Sequence, residues 1–490
     1  MNSRIRRCKS TLCRPLLLLT PLVAALAGCA VGPDFQRPAP PAVTDYTRTA
    51  FSSETVTSPG QHGIQQQFIT ATVPIEWWKE LHSEKLTRLI DQALAASPTL
   101  MAAKATLRQA EQSYAATSGS TQLPQVNAKL GDQRQGTNTA AAGMPDGERT
   151  YNLYSATIAV SYDLDLAGGN QRTLEALAAQ VNYQSYQLEG ARLTLASSLA
   201  LTAITQAQLS AQIAATSSLL NTQEEQLTLT RKRLELGVGT QLEVLALQTQ
   251  LEQVRASLPT LRNKQEQTRH LLAVLAGQAP GASNTPDFVM SDFSLPQALP
   301  VSVPSELMRR RPDVRASEAL LQAASAQYGV AVSKLYPQLT LTANLGSQAL
   351  TTAGLFGAGS MIWSLGGQLA QPLFTPGLKA NAKASEAAMQ AAQANYQQTV
   401  LQSLRNVADV LRTIESDAQV QQSLESANAS AQTTVQLVQT QYALGSASYL
   451  QLLLAQQQAQ QTFINVLELR ARRVANTVTL YQAMGGGYRA

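Results

Sequence analysis

From Leu378 to Leu444 the sequence contains no glycine and no proline, and from Asn170 to Leu236 it contains no proline and one glycine, Gly190. Strong helix formers without breakers predict two helices, each roughly 100 Å long at 1.5 Å per residue, far beyond an ordinary globular helix. Many of their inward positions are Ala, Ser or Thr, which permits close helix approach and leaves a face that could line water. Elsewhere the period is two. Tyr154, Ala156, Ile158, Val160, Tyr162 and Leu164 alternate with mostly polar residues, and so do Val126, Ala128 and Leu130, Leu339, Leu341, Ala343 and Leu345, and Trp363, Leu365 and Leu369. These predict four strands with one apolar and one polar face.

The elements recur. Ser97-Pro98 leads to Leu123-Pro124-Gln125-Val126, and Arg311-Pro312 leads to Tyr336-Pro337-Gln338-Leu339, about 210 residues later. Gly169 and Gly237 return as Gly377 and Gly445, and Leu236-Gly237 with Leu242 returns as Leu444-Gly445 with Leu450. The chain therefore reads as an internal duplication of helix, two strands, long helix, turn, helix. Expected boundaries are a signal peptide (1–28), a lipidated N-terminal segment with equatorial region (29–83), a first repeat (84–277), an equatorial linker (278–304), a second repeat (305–484) and a tail (485–490).

The 490 residues are 44% hydrophobic but only 14% charged, well below the usual quarter. The formal charge of +5 is concentrated at the start, in Arg4, Arg6, Arg7, Lys9 and Arg14. An apolar run from Leu16 to Ala27 follows, too short to span a bilayer, and ends in Leu26-Ala27-Gly28-Cys29, which looks like a bacterial lipobox. Cleavage before Cys29 would remove all five of those charges, leaving the mature chain near neutrality and without an electrostatic case for nucleic acid. It would also leave Cys29 as the only cysteine. Acylation there is expected to anchor the protein to a membrane, and Ala30 after it fits outer-membrane sorting.

Four amphipathic strands with terminal aromatics fit a membrane β-barrel, but four cannot close one, and open edges are not tolerated in lipid. Two copies would supply eight strands and three would supply twelve, and arithmetic does not choose between them. The other reading is four half-buried strands of a soluble sheet, in a lipid-anchored structural or adaptor protein whose helical hairpins bind a partner.

The sequence resembles the outer-membrane efflux channel lipoproteins, the TolC- and OprM-like outer membrane factors, in their NodT-like branch. The likeness rests on the start Cys29-Ala30-Val31-Gly32-Pro33-Asp34-Phe35-Gln36-Arg37-Pro38, on Trp77-Trp78-Lys79 with Leu89-Ile90-Asp91-Gln92-Ala93-Leu94, and on Val303-Pro304-Ser305-Glu306-Leu307 with Arg310-Arg311-Pro312-Asp313-Val314-Arg315. Tyr336-Pro337-Gln338-Leu339-Thr340-Leu341 completes it. The resemblance implies an α+β membrane protein in which a long antiparallel α-helical barrel continues a transmembrane β-barrel, four strands per chain and twelve in a homotrimer. It implies a channel that passively conducts small molecules from an inner-membrane pump of the RND type, through a periplasmic membrane-fusion adaptor protein, across the outer membrane lipid to the exterior. Extracellular connections are expected at Gly136 to Thr150 and Leu350 to Gly359.

The resemblance further implies that the adaptor meets the hairpin tips, Leu236, Gly237, Val238, Gly239 and Thr240 with Leu444, Gly445, Ser446, Ala447 and Ser448. A tight reversal there needs positive φ or close backbone approach, hence glycine. A periplasmic gate would include Glu243 as part of a cation-attracting ring and Tyr442 as a latch. Gln451 departs from the family's acid, and no charge stands between Glu425 and Glu468. Chemistry-bearing motifs are otherwise missing: His62, His82 and His270 are scattered, no phosphate-binding loop or nucleophile elbow occurs, and Glu224-Glu225 and Arg231-Lys232-Arg233 read as wetted helix surface. The expectation is no enzyme, no metal, and no cofactor beyond a covalent lipid at Cys29.

Overall fold

The computed structural model describes residues 30–39, 42–49, 52–59, 63–138, 147–282 and 284–487. Cys29 and His62 lie outside the described residues. In chain order the elements are β1 (Gln67–Ile69), α1 (Glu84–Ala96), α2 (Pro98–Gln122), β2 (Gln125–Asn138), β3 (Glu148–Leu164), α3 (Gly169–Glu235) and α4 (Gln241–Leu275). Then come β4 (Ala298–Pro300), α5 (Pro304–Arg310), α6 (Pro312–Ser333), β5 (Gln338–Ala349), β6 (Met361–Ala370), α7 (Pro376–Ala443) and α8 (Tyr449–Ala483). The helix before the strands is split in both repeats, at Ser97-Pro98 and at Arg311-Pro312. The residue before a proline is driven out of the helical region, and Ser97 and Arg311 both have extended ψ near 123°.

Contacts divide the chain into two compact units, each drawn from both repeats: residues 1–37, 107–183 and 317–396 form one, and residues 38–106, 184–316 and 397–490 the other. The first contains a four-stranded antiparallel sheet in the order β2-β3-β5-β6. Its register stacks the apolar positions of all four strands on one face. Ala128, Ile158, Leu345 and Trp363 form one row, and Val126, Val160, Ala343 and Leu365 the next. The opposite face carries Asn127, Ala159, Asn344 and Ser364, with Asn344 donating to Ser364 at 3.1 Å and Thr340 donating to Asp163 at 2.6 Å. Because side chains alternate, one residue of slip would exchange the two faces, so this alignment in every pair fixes the register.

The apolar face is bare: Leu130 is 85%, Leu365 78% and Trp363 73% exposed. The predicted connection Gly136 to Thr150 is partly strand, since Gly136 pairs with Thr150, Thr137 with Arg149 and Asn138 with Glu148. Backbone pairing across a hairpin satisfies its donors and acceptors whatever the side chains, so polar composition did not end the ladder. Residues 139–146 lie outside the described residues. No described helix is long and apolar enough to cross a membrane, which says nothing about strands.

The second unit is built around Trp77, Leu81, Leu86, Ile90, Phe288, Phe293 and Tyr481, all at most 1% exposed. On α1, Leu86, Leu89, Ile90 and Ala93 follow the 3.6-residue period and are buried, and Ser83 caps its start by accepting from the Leu86 amide. A two-stranded parallel pairing of β1 with β4 ties residues 67–69 to 298–300. The Arg-Arg-Pro-Asp stretch has a structural task here. Arg311 is held by both carboxylate oxygens of Asp313, at 3.0 and 2.6 Å, and donates to the Ala483 carbonyl at 2.8 Å, satisfying an acceptor at the end of α8.

Candidate functional site: the hairpin tips

Helices α3 and α4 form one antiparallel hairpin and α7 and α8 another, and both lie in the second unit at their turns. The two turns are built alike. Gly237 at φ 74° and Gly445 at φ 75° take the left-handed conformation that ends α3 and α7. Val238 N–H reaches back to the Arg233 carbonyl at 2.9 Å, and Ser446 N–H to that of Gln441 at 2.9 Å, satisfying carbonyls the helix ends leave open. Gly239 serves the other need, close approach: a Cβ there would stand 3.1 Å from the Leu234 nitrogen.

Each second helix opens with a reciprocal cap. Thr240 accepts from the Glu243 amide at 3.3 Å while the Glu243 carboxylate accepts from the Thr240 amide at 3.0 Å. Ser448 and Gln451 repeat this at 3.3 and 2.7 Å. Glu243 and Gln451 thus occupy equivalent cap positions, one charged and one neutral. Leu236, Val238, Leu242, Leu444 and Leu450 stand exposed around the turns.

Behind the turns the two hairpins are joined by Leu227, Val244, Leu247, Leu251 and Tyr449, with Leu234, Tyr442 and Leu453 packed against them. Tyr442 meets Tyr449 edge to face, ring centroids 5.7 Å apart, and the Arg233 guanidinium lies 4.9 Å above the Tyr442 ring. Burial raises the pKa of both phenols. Glu243 adds to the shift of each, and Arg233 partly opposes that of Tyr442. Neither hydroxyl, Tyr442 nor Tyr449, has a hydrogen-bond partner among the described residues. Further along, Gln457 donates to Gln250 at 2.8 Å and Gln212 to Glu468 at 3.0 Å, cross-bracing the hairpins.

The structure therefore brings Tyr442 and Glu243 into one cluster and places the predicted tip residues in the two turns. It adds Arg233 and Tyr449, which the sequence reading missed. Arg233 was hidden inside a basic run, of which Arg231 and Lys232 are indeed exposed. Tyr449 has no counterpart in the first repeat, where Gln241 stands, so the duplication gave no signal for it. Glu224 pairs with Arg255 at 2.8 Å instead of its neighbour. Among the described residues no group of three or more His, Cys, Asp or Glu could hold a metal ion.

Two pinned helical hairpins, and a sheet whose bare face is apolar in every strand, are the parts of a membrane channel. The chain belongs to the family described as outer membrane efflux protein, which it matches over residues 89–278 and 303–486. It is 30% identical over 419 residues to the pyoverdine export outer membrane protein OpmQ of Pseudomonas putida, covering 84% of this chain and 88% of that one. To the toluene efflux pump outer membrane protein TtgC of Pseudomonas putida it is 30% identical over 484 residues, 97% of this chain and 96% of that one. Among solved structures, the outer-membrane channel OprN superposes with a TM-score of 0.85 at 26% identity, covering 94% of this chain and 99% of OprN. The protein is an outer-membrane channel of an efflux system.

Proposed function

We propose that three copies of the chain close a twelve-stranded β-barrel in the outer membrane and a helical tunnel beneath it, forming a passive exit duct for small molecules. The observation that carries this reading is the sheet: one face is apolar across all four strands, while β2 and β6 are its two edges among the described residues. In lipid such edges must find partners, and β6 of one copy beside β2 of the next is the pairing that repeats around a ring. Acylation of Cys29 adds an anchor to the same membrane.

The tips Leu236–Thr240 and Leu444–Ser448, with exposed leucines around rigid glycine turns, suit a periplasmic adaptor that couples the duct to an inner-membrane pump of the RND type. Opening would splay the hairpins where Arg233 of one lies over Tyr442 of the other, with Glu243 supplying a sparse acidic ring and Gln451 none. The cargo class is small organic solutes, as the export and efflux names of the pyoverdine and toluene relatives suggest.

Cysteines placed on facing edge positions of β2 and β6 test the closure. Disulfide-linked trimers in outer-membrane fractions, together with conductance of the purified protein in planar bilayers, are the expected result. Monomers that stay unlinked, or a silent bilayer even when the tip contacts are removed, would refute it.

A further inference from the structure

The segment after Cys29 is fastened to the sheet-bearing unit more firmly than a tether requires. Ala30 lies against Gly168, where a Cβ would come within 2.5 Å of the Ala30 Cα, and Val31 N–H donates to the Ala167 carbonyl at 3.0 Å. Gly32, at φ 91°, lies over Gly329, whose own Cβ would meet the stem of Arg172 at 2.9 Å. Only glycine allows either approach.

Arg172 closes the arrangement. Its side chain is 5% exposed and donates to Asp34 at 2.6 Å and Glu175 at 2.8 Å, with longer bonds at 3.4 Å to the carbonyls of Val31 and Gly32. Three residues on, Arg37 is fixed by Glu318 at 2.5 Å. The short bond is to Asp34, which is itself open to water, and the buried guanidinium adds the two longer bonds to the backbone carbonyls.

Gly168 stands four residues past Leu164, the last residue of β3, and Leu164, Leu339 and Leu369 form the bottom row of the apolar face. Cys29 immediately precedes Ala30 in the sequence. We propose that residues 30–37 are a clamp that fixes the acyl-bearing residue level with the lower rim of the apolar band, and that Arg172 is its positioning residue. The lipid then sets the height and orientation at which each copy meets the membrane before the edges join. This rests on acylation of Cys29.

The test uses the full chain, following the appearance of heat-resistant trimers in outer-membrane fractions. Arg172→Ala should slow that appearance about tenfold in the acylated protein and less than twofold in a Cys29→Ser protein exported by a cleavable signal peptide. Inserting Ala-Gly-Ser-Gly between Cys29 and Ala30 leaves every Arg172 contact in place yet frees the anchor, and it should slow assembly as Arg172→Ala does. An insertion that assembles at the normal rate, or an Arg172→Ala defect equal in both backgrounds, would overturn the clamp and leave Arg172 a plain structural residue. Intact-mass analysis separates the two readings: protein without acyl mass overturns the anchor and the clamp together, whereas acylated protein insensitive to the insertion overturns the clamp alone.

Discussion

Replacing Ile158 by arginine puts a charge at the middle of the apolar face. The face runs along β3 from Leu164 to Tyr154, which at ~3.3 Å per residue is roughly 33 Å of strand. Tilted by about 45°, that spans roughly 23 Å, close to the roughly 25 Å lipid-facing band of a membrane barrel. Ile158 sits near its centre, in the row with Ala128, Leu345 and Trp363, whereas Leu341 lies in the second row from the lower rim, beside Tyr162 and Gly367. An arginine on the lipid face costs about 2–4 kcal/mol at the midplane and about 0–1 kcal/mol near the interface. The midplane penalty recurs in every copy of an assembled ring. Ile158→Arg should therefore abolish heat-resistant trimers and bilayer conductance, and Leu341→Arg should weaken assembly only slightly. Thr157→Arg, one residue away on the polar face, should assemble normally and alter only conductance. Comparing the three in outer-membrane fractions checks the ordering. If Ile158→Arg assembles normally while Thr157→Arg fails, the face has been assigned backwards and the barrel argument falls with it.

At the tips, Gly237→Ala and Gly445→Ala should each cost about 1–2 kcal/mol through the left-handed backbone alone, because nothing stands within 4 Å of an added Cβ. Faster amide exchange confined to the turns would report it, and asparagine should be milder. Ser448→Ala should remove one cap and cost about 0.5–2 kcal/mol, seen as fraying at the start of α8. Tyr449→Phe should leave stability at neutral pH within about 1 kcal/mol, since the hydroxyl has no partner among the described residues. Burial raises the Tyr449 pKa first, helped by Tyr442 and Glu243, so the stabilisation held by the neutral phenol is fully present below pH ~10 and lost as the pH climbs above it. Tyr449→Phe should accordingly extend the alkaline limit of tip order, as thermal melts against pH would show.

Much of the architecture was legible because its signals are periodic and doubled. The breaker-free runs became α3 and α7, and the alternating residues became β2, β3, β5 and β6 with their apolar positions in register. What stayed hidden depends on pairs distant in sequence. Nothing near Arg311 announces that its guanidinium will meet the Ala483 carbonyl, and nothing near Asp34 announces Arg172. Arg473 is likewise buried and donates to Gln421 at 2.7 Å and to the Ile64 carbonyl at 3.1 Å, bracing the N-terminal segment against α8. A sequence shows such arginines only as charge. Their roles appear once the fold supplies carbonyls that need donors.

The duplication offers an internal comparison that bears on Glu243. Gln451 caps α8 through the same two bonds that Glu243 makes on α4, so the cap does not by itself require an acid, although the helix dipole favours one there by about 0.3–1 kcal/mol. Glu243→Gln should then leave the hairpin intact, with loss of no more than that dipole increment. If the carboxylate also faces the ion path of the assembled channel, the same substitution should lower the cation preference in reversal-potential measurements, while Gln451→Glu should raise it. A channel whose selectivity is unmoved by both changes would show that Glu243 is a helix cap and nothing more, and that the aperture discriminates by width alone.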